Sequence, residues 1–367
     1  MSGWMREVRM KWSTEFEAGV CTSGSEDEVI RIKERYQLER RLGGGSFGEV
    51  YQGRYLQTGQ EVALKLEHVD DPSLLENEIE IYEELSGGPG IPRIYWHGHE
   101  CEFRVMAFQL LGPNLENLLN YCGRKFSLKT VLLLADQLIP SFRHINSKGY
   151  IHRDVKPENM LMGDGKQGNN VYVTDIGLAK EIGEPGERNY SLIGTTRYAS
   201  VNAHLGAEQS PRDDMESLGY VLIYFLQGSL PWQGLKADTQ EHKEKLILKR
   251  KQSAMDCGLY KDIPEEFKKY SEHVRSLRSD EKPNYVYLRR LFRNLFRRKG
   301  YEYDHVFDWT ALKFLEHLES EKRGAAKLIE KTGRAEAIYS RELPSRLIVY
   351  PTSRRLLLRQ QNGLIML

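Results

Sequence analysis

The chain has 367 residues, 40% of them hydrophobic, enough for one large or two moderate domains built round a sizeable core. Its 53 Lys+Arg and 52 Asp+Glu leave a net charge of +1, which gives no general attraction to nucleic acid or membrane and makes any basic surface local. Scattered Cys21, Cys101, Cys122 and Cys257 argue against a zinc site or a secreted disulfide framework and read as reduced thiols, while no apolar run nears the roughly 20 residues of a membrane span and Met1-Ser2-Gly3-Trp4 opens no signal peptide.

An intracellular chain, cytosolic or nuclear, is expected. Residues 1–35 read as an N-terminal extension, flexible at Ser23-Gly24-Ser25-Glu26-Asp27-Glu28, with order beginning near Arg35. Tyr36, Leu38, Arg40 and Leu42 then alternate into a glycine turn, followed by Glu49-Val50-Tyr51-Gln52-Gly53 and Glu61-Val62-Ala63-Leu64-Lys65, a three-stranded antiparallel meander over 36–66. The turn, Gly43-x-Gly45-x-x-Gly48-x-Val50, shares its spacing with dinucleotide-binding turns, but those lead into a helix and this one leads into another strand. It reads as a hairpin lid whose glycines bring backbone N–H groups close to phosphates. Residues 74–85 turn helical, with Leu74, Leu75, Glu78, Ile81, Tyr82 and Leu85 at i, i+3 and i+4 spacings. Ile94-Tyr95-Trp96 and 103–110 follow as strands. After Leu111-Gly112-Pro113 come long helical stretches at 128–148, 213–226 and 285–296. The pattern predicts an α+β chain with a small β-rich lobe, about 36–111, and a larger mainly helical lobe, about 112–314. The C-terminal extension, 315–367, holds helix-compatible 315–331 and then a loosely ordered appendage, with no lipidation cysteine at its end.

His152-Arg153-Asp154-Val155-Lys156-Pro157-Glu158-Asn159 carries the chemistry. An acid, a cation and an amide at this spacing suit phosphoryl transfer from ATP: Asp154 to accept a hydroxyl proton, Lys156 to neutralise charge on the transferring γ-phosphate, Asn159 to hold a metal. Val62-Ala63-Leu64-Lys65 makes Lys65 the candidate to grip the α- and β-phosphates, which requires an acidic partner. Glu78 is the first choice because it shares the helix turns of Ile81, Tyr82 and Leu85; Glu76 is the second. Leu42, Gly43, Gly45, Gly48, Val50, Ala63, Lys65, Gln109, Leu111 and Leu161 form the expected nucleotide-binding set, with 108–111 as a hinge whose main chain meets the base. Asp175-Ile176-Gly177, after the strand-like Val171-Tyr172-Val173, fits the metal-binding D-F-G position with Ile for Phe. Asp175 and Asn159 would then offer oxygens to Mg²⁺ bound with ATP.

In this order the motifs resemble those of eukaryotic protein kinases. Gly194-Thr195-Thr196-Arg197-Tyr198-Ala199-Ser200-Val201-Asn202, Arg212-Asp213-Asp214-Met215-Glu216-Ser217, Gly228-Ser229-Leu230-Pro231-Trp232-Gln233-Gly234 and Ser276-Leu277-Arg278-Ser279-Asp280-Glu281-Lys282-Pro283 narrow the resemblance to the casein kinase 1 family over about 36–314. That resemblance implies a bilobal protein kinase fold and a monomeric, Mg²⁺- and ATP-dependent Ser/Thr kinase acting on acidic or phosphate-primed proteins, with no nucleic-acid partner. It also implies that Thr195 hydrogen-bonds within the catalytic loop, that Asp214 braces that loop, and that Arg197, Gly234 and Lys243 bind a substrate anion. Three features depart from the family. Ile176 replaces Phe, the stretch 180–194 is short, and Gln240-Glu241 stands where another lysine is common, which weakens priming by about 1 kcal/mol. A nucleotide-binding scaffold with weak or no transfer is the alternative; retention of Lys65, Glu78, Asp154, Asn159 and Asp175 opposes it.

Overall fold

The computed structural model describes residues 30–45, 48–72, 74–183, 194–253, 258–332, 348–352, 355–360 and 363–366. The acidic segment 23–28 and most of the short stretch between Lys180 and Gly194 lie outside them.

Six strands, β1 (Arg31–Ile32), β2 (Tyr36–Gly45), β3 (Gly48–Tyr55), β4 (Glu61–His68), β5 (Ile94–Glu100) and β6 (Phe103–Gln109), form one antiparallel sheet in the order β1-β2-β3-β4-β6-β5. The period of two in β4 sorts its side chains. Val62, Leu64 and Leu66 enter a cluster with Ile32, Tyr36, Tyr51, Phe103, Val105 and Ala107, so Ala63 and Lys65 face the opposite side, where they line a cleft. Regular structure is present before Arg35. Ile32 is fully buried, pairs with Tyr36, and is preceded by Ile30, whose carbonyl accepts from Leu38 N at 2.8 Å. Two isoleucines separated by a charged residue are too short a run to read as a strand without the sheet that receives them.

Helix α1 (Leu74–Glu84) crosses between β4 and β5 and buries Leu75, Glu78, Ile79 and Tyr82 on one face, the i, i+3, i+4 and i+7 positions. The larger lobe contains α2 (Leu115–Tyr121), α3 (Leu128–Ser147), β7 (Tyr150–Ile151), β8 (Met160–Met162), β9 (Val171–Val173), β10 (Lys180–Glu181), α4 (Val201–His204), α5 (Pro211–Gln227), α6 (Gln240–Gln252), α7 (Glu265–Ser276), α8 (Tyr285–Arg298) and α9 (Asp308–Thr332). Two short antiparallel pairs, β8 with β9 and β7 with β10, fix the loops between them. Helix α5 is buried along nearly its whole length, and the Asp213 carboxylate in its first turn accepts from Ser210 N at 2.7 Å. Val131, Leu134, Leu138, Phe142 and Ile145 of α3 pack into the same core, each full burial stabilising by about 1.5–3 kcal/mol.

The expected boundary between residues 314 and 315 falls inside α9. That helix is anchored at its start: Ser127 donates through N and Oγ to the Asp308 carboxylate, both at 2.6 Å, and Trp309 stacks on Phe307 with ring centres 4.6 Å apart. Within the C-terminal extension, β11 (Ile348–Thr352), β12 (Arg355–Gln360) and β13 (Gly363–Met366) form a three-stranded antiparallel sheet. Ile348-Val349-Tyr350 has strand propensity, a signal masked in the sequence by interspersed arginines. Among the described residues no helix is long and apolar enough to cross a membrane.

Candidate active site

Between the six-stranded sheet and the helical lobe lies a cleft of about 910 Å³. Leu42, Gly43, Gly48, Val50 and Ala63 line it from the sheet; Leu161, Asn159 and Asp175 line it from the other lobe. Gly45 pairs with Gly48 across the hairpin. Gly48 has φ +98°, and a Cβ there would lie 2.4 Å from the Leu66 carbonyl oxygen, so only glycine lets β3 approach β4 this closely. At the hinge Phe108 and Leu111 line the cleft, and among the described residues the main chain of Leu111 takes no hydrogen bond. Gln109 donates its N–H to Arg93 O at 2.8 Å and its side-chain oxygen accepts from Arg93 N at 3.4 Å.

At the back of the cleft, Lys65 Nζ lies 2.5 Å from Glu78 Oε2 and 3.7 Å from Asp175 Oδ1. Glu78 is therefore the α1 carboxylate that reaches Lys65. Glu76 points outward, half-exposed, to Arg104 at 3.2 Å. Burial disfavours charge on both members of the pair and raises the Glu78 carboxyl. At Lys65 burial works downward, yet the attraction of Glu78 and Asp175 outweighs it and raises the ammonium, so we assign the ion pair. Tyr82, which the sequence offers only as an apolar residue, accepts from Asp175 N at 3.2 Å through its hydroxyl. Asp175 has φ +62°, the left-handed region, immediately before a 3₁₀ turn (Ile176–Leu178) in which Ile176 is fully buried.

The loop after β7 converges on Asp154. Its Oδ1 accepts from Thr195 N at 3.0 Å and Thr195 Oγ1 at 3.2 Å; its Oδ2 accepts from Asn159 Nδ2 at 3.2 Å and from Lys156 Nζ. Gly194 makes this possible, because it has φ +89° and a Cβ would lie 2.7 Å from the Arg153 carbonyl oxygen. Below the loop Asp214, buried on α5, accepts from His152 N at 2.9 Å, Arg153 N at 3.1 Å and Asn146 Nδ2 at 3.1 Å. Burial raises its pKa, with His152 and these donors opposing the shift.

Metal binding can be tested against the donors present. The Asn159 amide nitrogen is spent on Asp154, through Oδ2 and through the main-chain oxygen at 3.0 Å, which turns its side-chain oxygen away from that loop. With the Asp175 carboxylate this gives two hard oxygen donors on one cleft wall. Among the described residues no group of three or more His, Cys, Asp or Glu could hold a metal ion. The pair fits an ion that arrives with phosphate oxygens.

Arg197 lies over the rings of Tyr198 and Tyr224, its guanidinium carbon 5.6 and 5.7 Å from their centres, and its carbonyl accepts from Trp232 Nε1 at 2.8 Å. Gly234 has φ +73° with open space around it, and Lys243 is exposed on α6. Among the described residues no hydrogen bond or ion pair joins Arg197 to either. Gln240 is engaged with Glu244 at 2.8 Å, and Glu241 with Lys245 at 2.6 Å.

The sequence gives no sign of the cluster under this loop. Lys251 is fully buried and donates to Thr196 O at 2.9 Å and Ala199 O at 2.6 Å, with His204 Nε2 at 3.1 Å. In Lys249-Arg250-Lys251 it looks like solvated charge. Burial first, then the neighbouring Lys251, lowers His204 from 6.5 to about 4. The unfolded chain therefore takes up this proton before the folded one, so the stability held by neutral His204 is complete above pH 6.5 and is lost as the pH falls towards 4. The expected result is a thermal midpoint that falls over this window, with part of the fall missing in His204→Gln. Identical slopes in the two proteins would show that His204 is not the titrating group.

The family model for the protein kinase domain matches residues 36–284.

Proposed function

The chain belongs to the protein kinase family and is an ATP-dependent protein kinase, and from that premise we propose that it is a Ser/Thr kinase of casein kinase 1 type, acting as a monomer with Mg²⁺. The observation that carries this reading is the Asp154 carboxylate, held on one oxygen by Thr195 and on the other by Asn159 and Lys156. A lysine beside the acid places positive charge where the γ-phosphate of ATP would transfer, the arrangement expected for a Ser or Thr acceptor.

In this reading adenine lies between Val50 and Ala63 above and Leu161 below, against the main chain of Leu111. Lys65, oriented by Glu78, holds the α- and β-phosphates. Asp175 and Asn159 would hold the metal, which when bound neutralises charge on the phosphates. The substrate hydroxyl oxygen attacks the γ-phosphorus and forms the new O–P bond. The bond from that phosphorus to the bridging oxygen breaks, ADP leaves with the electron pair, and Asp154 takes the hydroxyl proton. Arg197, Gly234 and Lys243 receive an acidic or phosphorylated side chain of the substrate, weakly because Gln240 adds no charge. The catalytic unit comprises the two lobes with the first turns of α9 as a brace.

Peptide kinetics test the assignment. For one acidic peptide carrying Ser, Thr or Tyr at the acceptor position, kcat/KM is expected to be high for Ser and Thr and near background for Tyr. Priming phosphorylation should raise kcat/KM about five-fold, the equivalent of about 1 kcal/mol, and Gln240→Lys should enlarge that gain. Tyr turnover equal to Ser would overturn the acceptor class. No transfer to any of the three would favour the scaffold reading, and a primed peptide no better than its parent in both proteins would remove the anion site alone.

A further inference from the structure

Outside the cleft, the near-neutral chain gathers arginines along one groove. A groove of about 350 Å³ between α3 and α8 is lined by Arg143, Arg289, Arg290, Arg293 and Arg297. Asp136 balances part of this, accepting from Arg289 Nε at 2.8 Å and Nη2 at 3.0 Å and lying 3.3 Å from Arg293 Nε. Arg143, Arg290 and Arg297 are exposed, and among the described residues no carboxylate lies within ion-pair distance of them. The floor is apolar, with Ile139 and Pro140 on α3 and Val286, 61% exposed, on α8.

From this geometry we propose that the α3–α8 groove is a docking surface for a carboxylate-rich, extended segment of a partner protein. Charge complementarity selects the occupant: five guanidiniums face one aspartate, and guanidinium forks match carboxylates in two-point contacts. From Val286 to Arg297 the stripe runs about 16 Å along the helix axis at ~1.5 Å per residue. An extended chain rises about 3.3 Å per residue, so roughly five residues fill it. The apolar floor suits a peptide carrying an aliphatic side chain among its acids better than a polyanion without one. Exposed arginines attract through solvent, so the complex is weak and salt-sensitive. Nothing in it depends on phosphoryl transfer.

The test is fluorescence anisotropy of a dye-labelled Asp/Glu hexapeptide with one central leucine and no Ser, Thr or Tyr, titrated with the full chain at low and at moderate salt. Binding is expected in the micromolar range and at least about ten-fold weaker at the higher salt. The triple variant R143E/R290E/R297E should weaken binding at least ten-fold, whereas K268E/K269E/R278E, the same charge change elsewhere, should leave it within two-fold. R143Q/R290Q/R297Q, checked by circular dichroism, serves if charge reversal harms folding. Asp154→Asn and Arg197→Ala should bind like the wild type, which separates this groove from the cleft and from the substrate anion site. Loss of binding in Arg197→Ala with retention in the groove variants overturns the proposal, as does absence of peptide binding. Displacement of the peptide by an oligonucleotide that binds more tightly overturns it in favour of a nucleic-acid surface.

Discussion

Asp154→Asn is expected to lower kcat for peptide phosphorylation by about 10³-fold, the middle of the range for losing a positioned proton acceptor, while KM for ATP changes little. The substitution keeps the side chain's shape and one oxygen. That oxygen can still accept from Thr195, whose N and Oγ1 lie 3.0 and 3.2 Å away. The other position becomes an NH₂ facing two donors, Asn159 Nδ2 at 3.2 Å and the Lys156 ammonium, so donor meets donor. Lys156 then loses its anchor as the proton acceptor disappears. Transfer of labelled γ-phosphate measures the effect, with ATP binding followed separately. Turnover within ten-fold of wild type would show that Asp154 does not take the proton.

Glu78→Gln is expected to cost about 10²-fold in kcat/KM and several degrees in thermal midpoint. The pair it breaks is 8% and 3% exposed at its two side chains, so solvent screens it little. Losing one partner of a buried pair costs about 3–5 kcal/mol. Asp175, which lies 3.7 Å from Lys65 beside Glu78 at 2.5 Å, stays in place and keeps the ammonium from being left wholly unpaired, so the loss falls at the lower end of that range. At about 2–4 °C per kcal/mol for a chain of this size the midpoint moves visibly. Catalysis suffers for a second reason. A Lys65 drawn to Asp175 leaves the α- and β-phosphates and competes for the carboxylate proposed to hold the metal, so more Mg²⁺ should be needed for half-maximal rate. Glu76→Gln is the control: half-exposed and paired with Arg104, it should change stability by less than about 0.5 kcal/mol and leave the rate unaltered. A Glu76 effect equal to that of Glu78 would refute the pairing.

The choice between these two glutamates illustrates what one-dimensional reading leaves open. Both stand on the same helix, two residues apart, and either is a plausible surface charge. Helix phase puts Glu78 beside Leu75, Ile79 and Tyr82 on the buried face, and the alternation of β4 turns Lys65 towards it. The hinge shows the limit differently: the run 108–111 was legible as a connection, but the commitment of Gln109 N–H to Arg93 depends on the register of β5 against β6.

By itself the sequence determined the features whose physics is local. Alternation in β2 to β4 specified a sheet, glycine specified the close hairpin, and the run from His152 to Asn159 brought acid, cation and amide together over a few bonds of chain. The tertiary structure decided whatever depends on distant segments meeting. Asp214 reaches a loop 62 residues away, and Lys251 leaves a basic run to cap carbonyls 55 and 52 residues away. The arginines of α8, legible only as the polar face of an amphipathic helix, became a groove when α3 supplied Arg143 and an apolar floor. A backbone conformation is set within a few residues, but burial, partner and charge environment are properties of packing. Two lysines alike in the sequence, Lys251 and its exposed neighbour Lys249, therefore end in opposite environments.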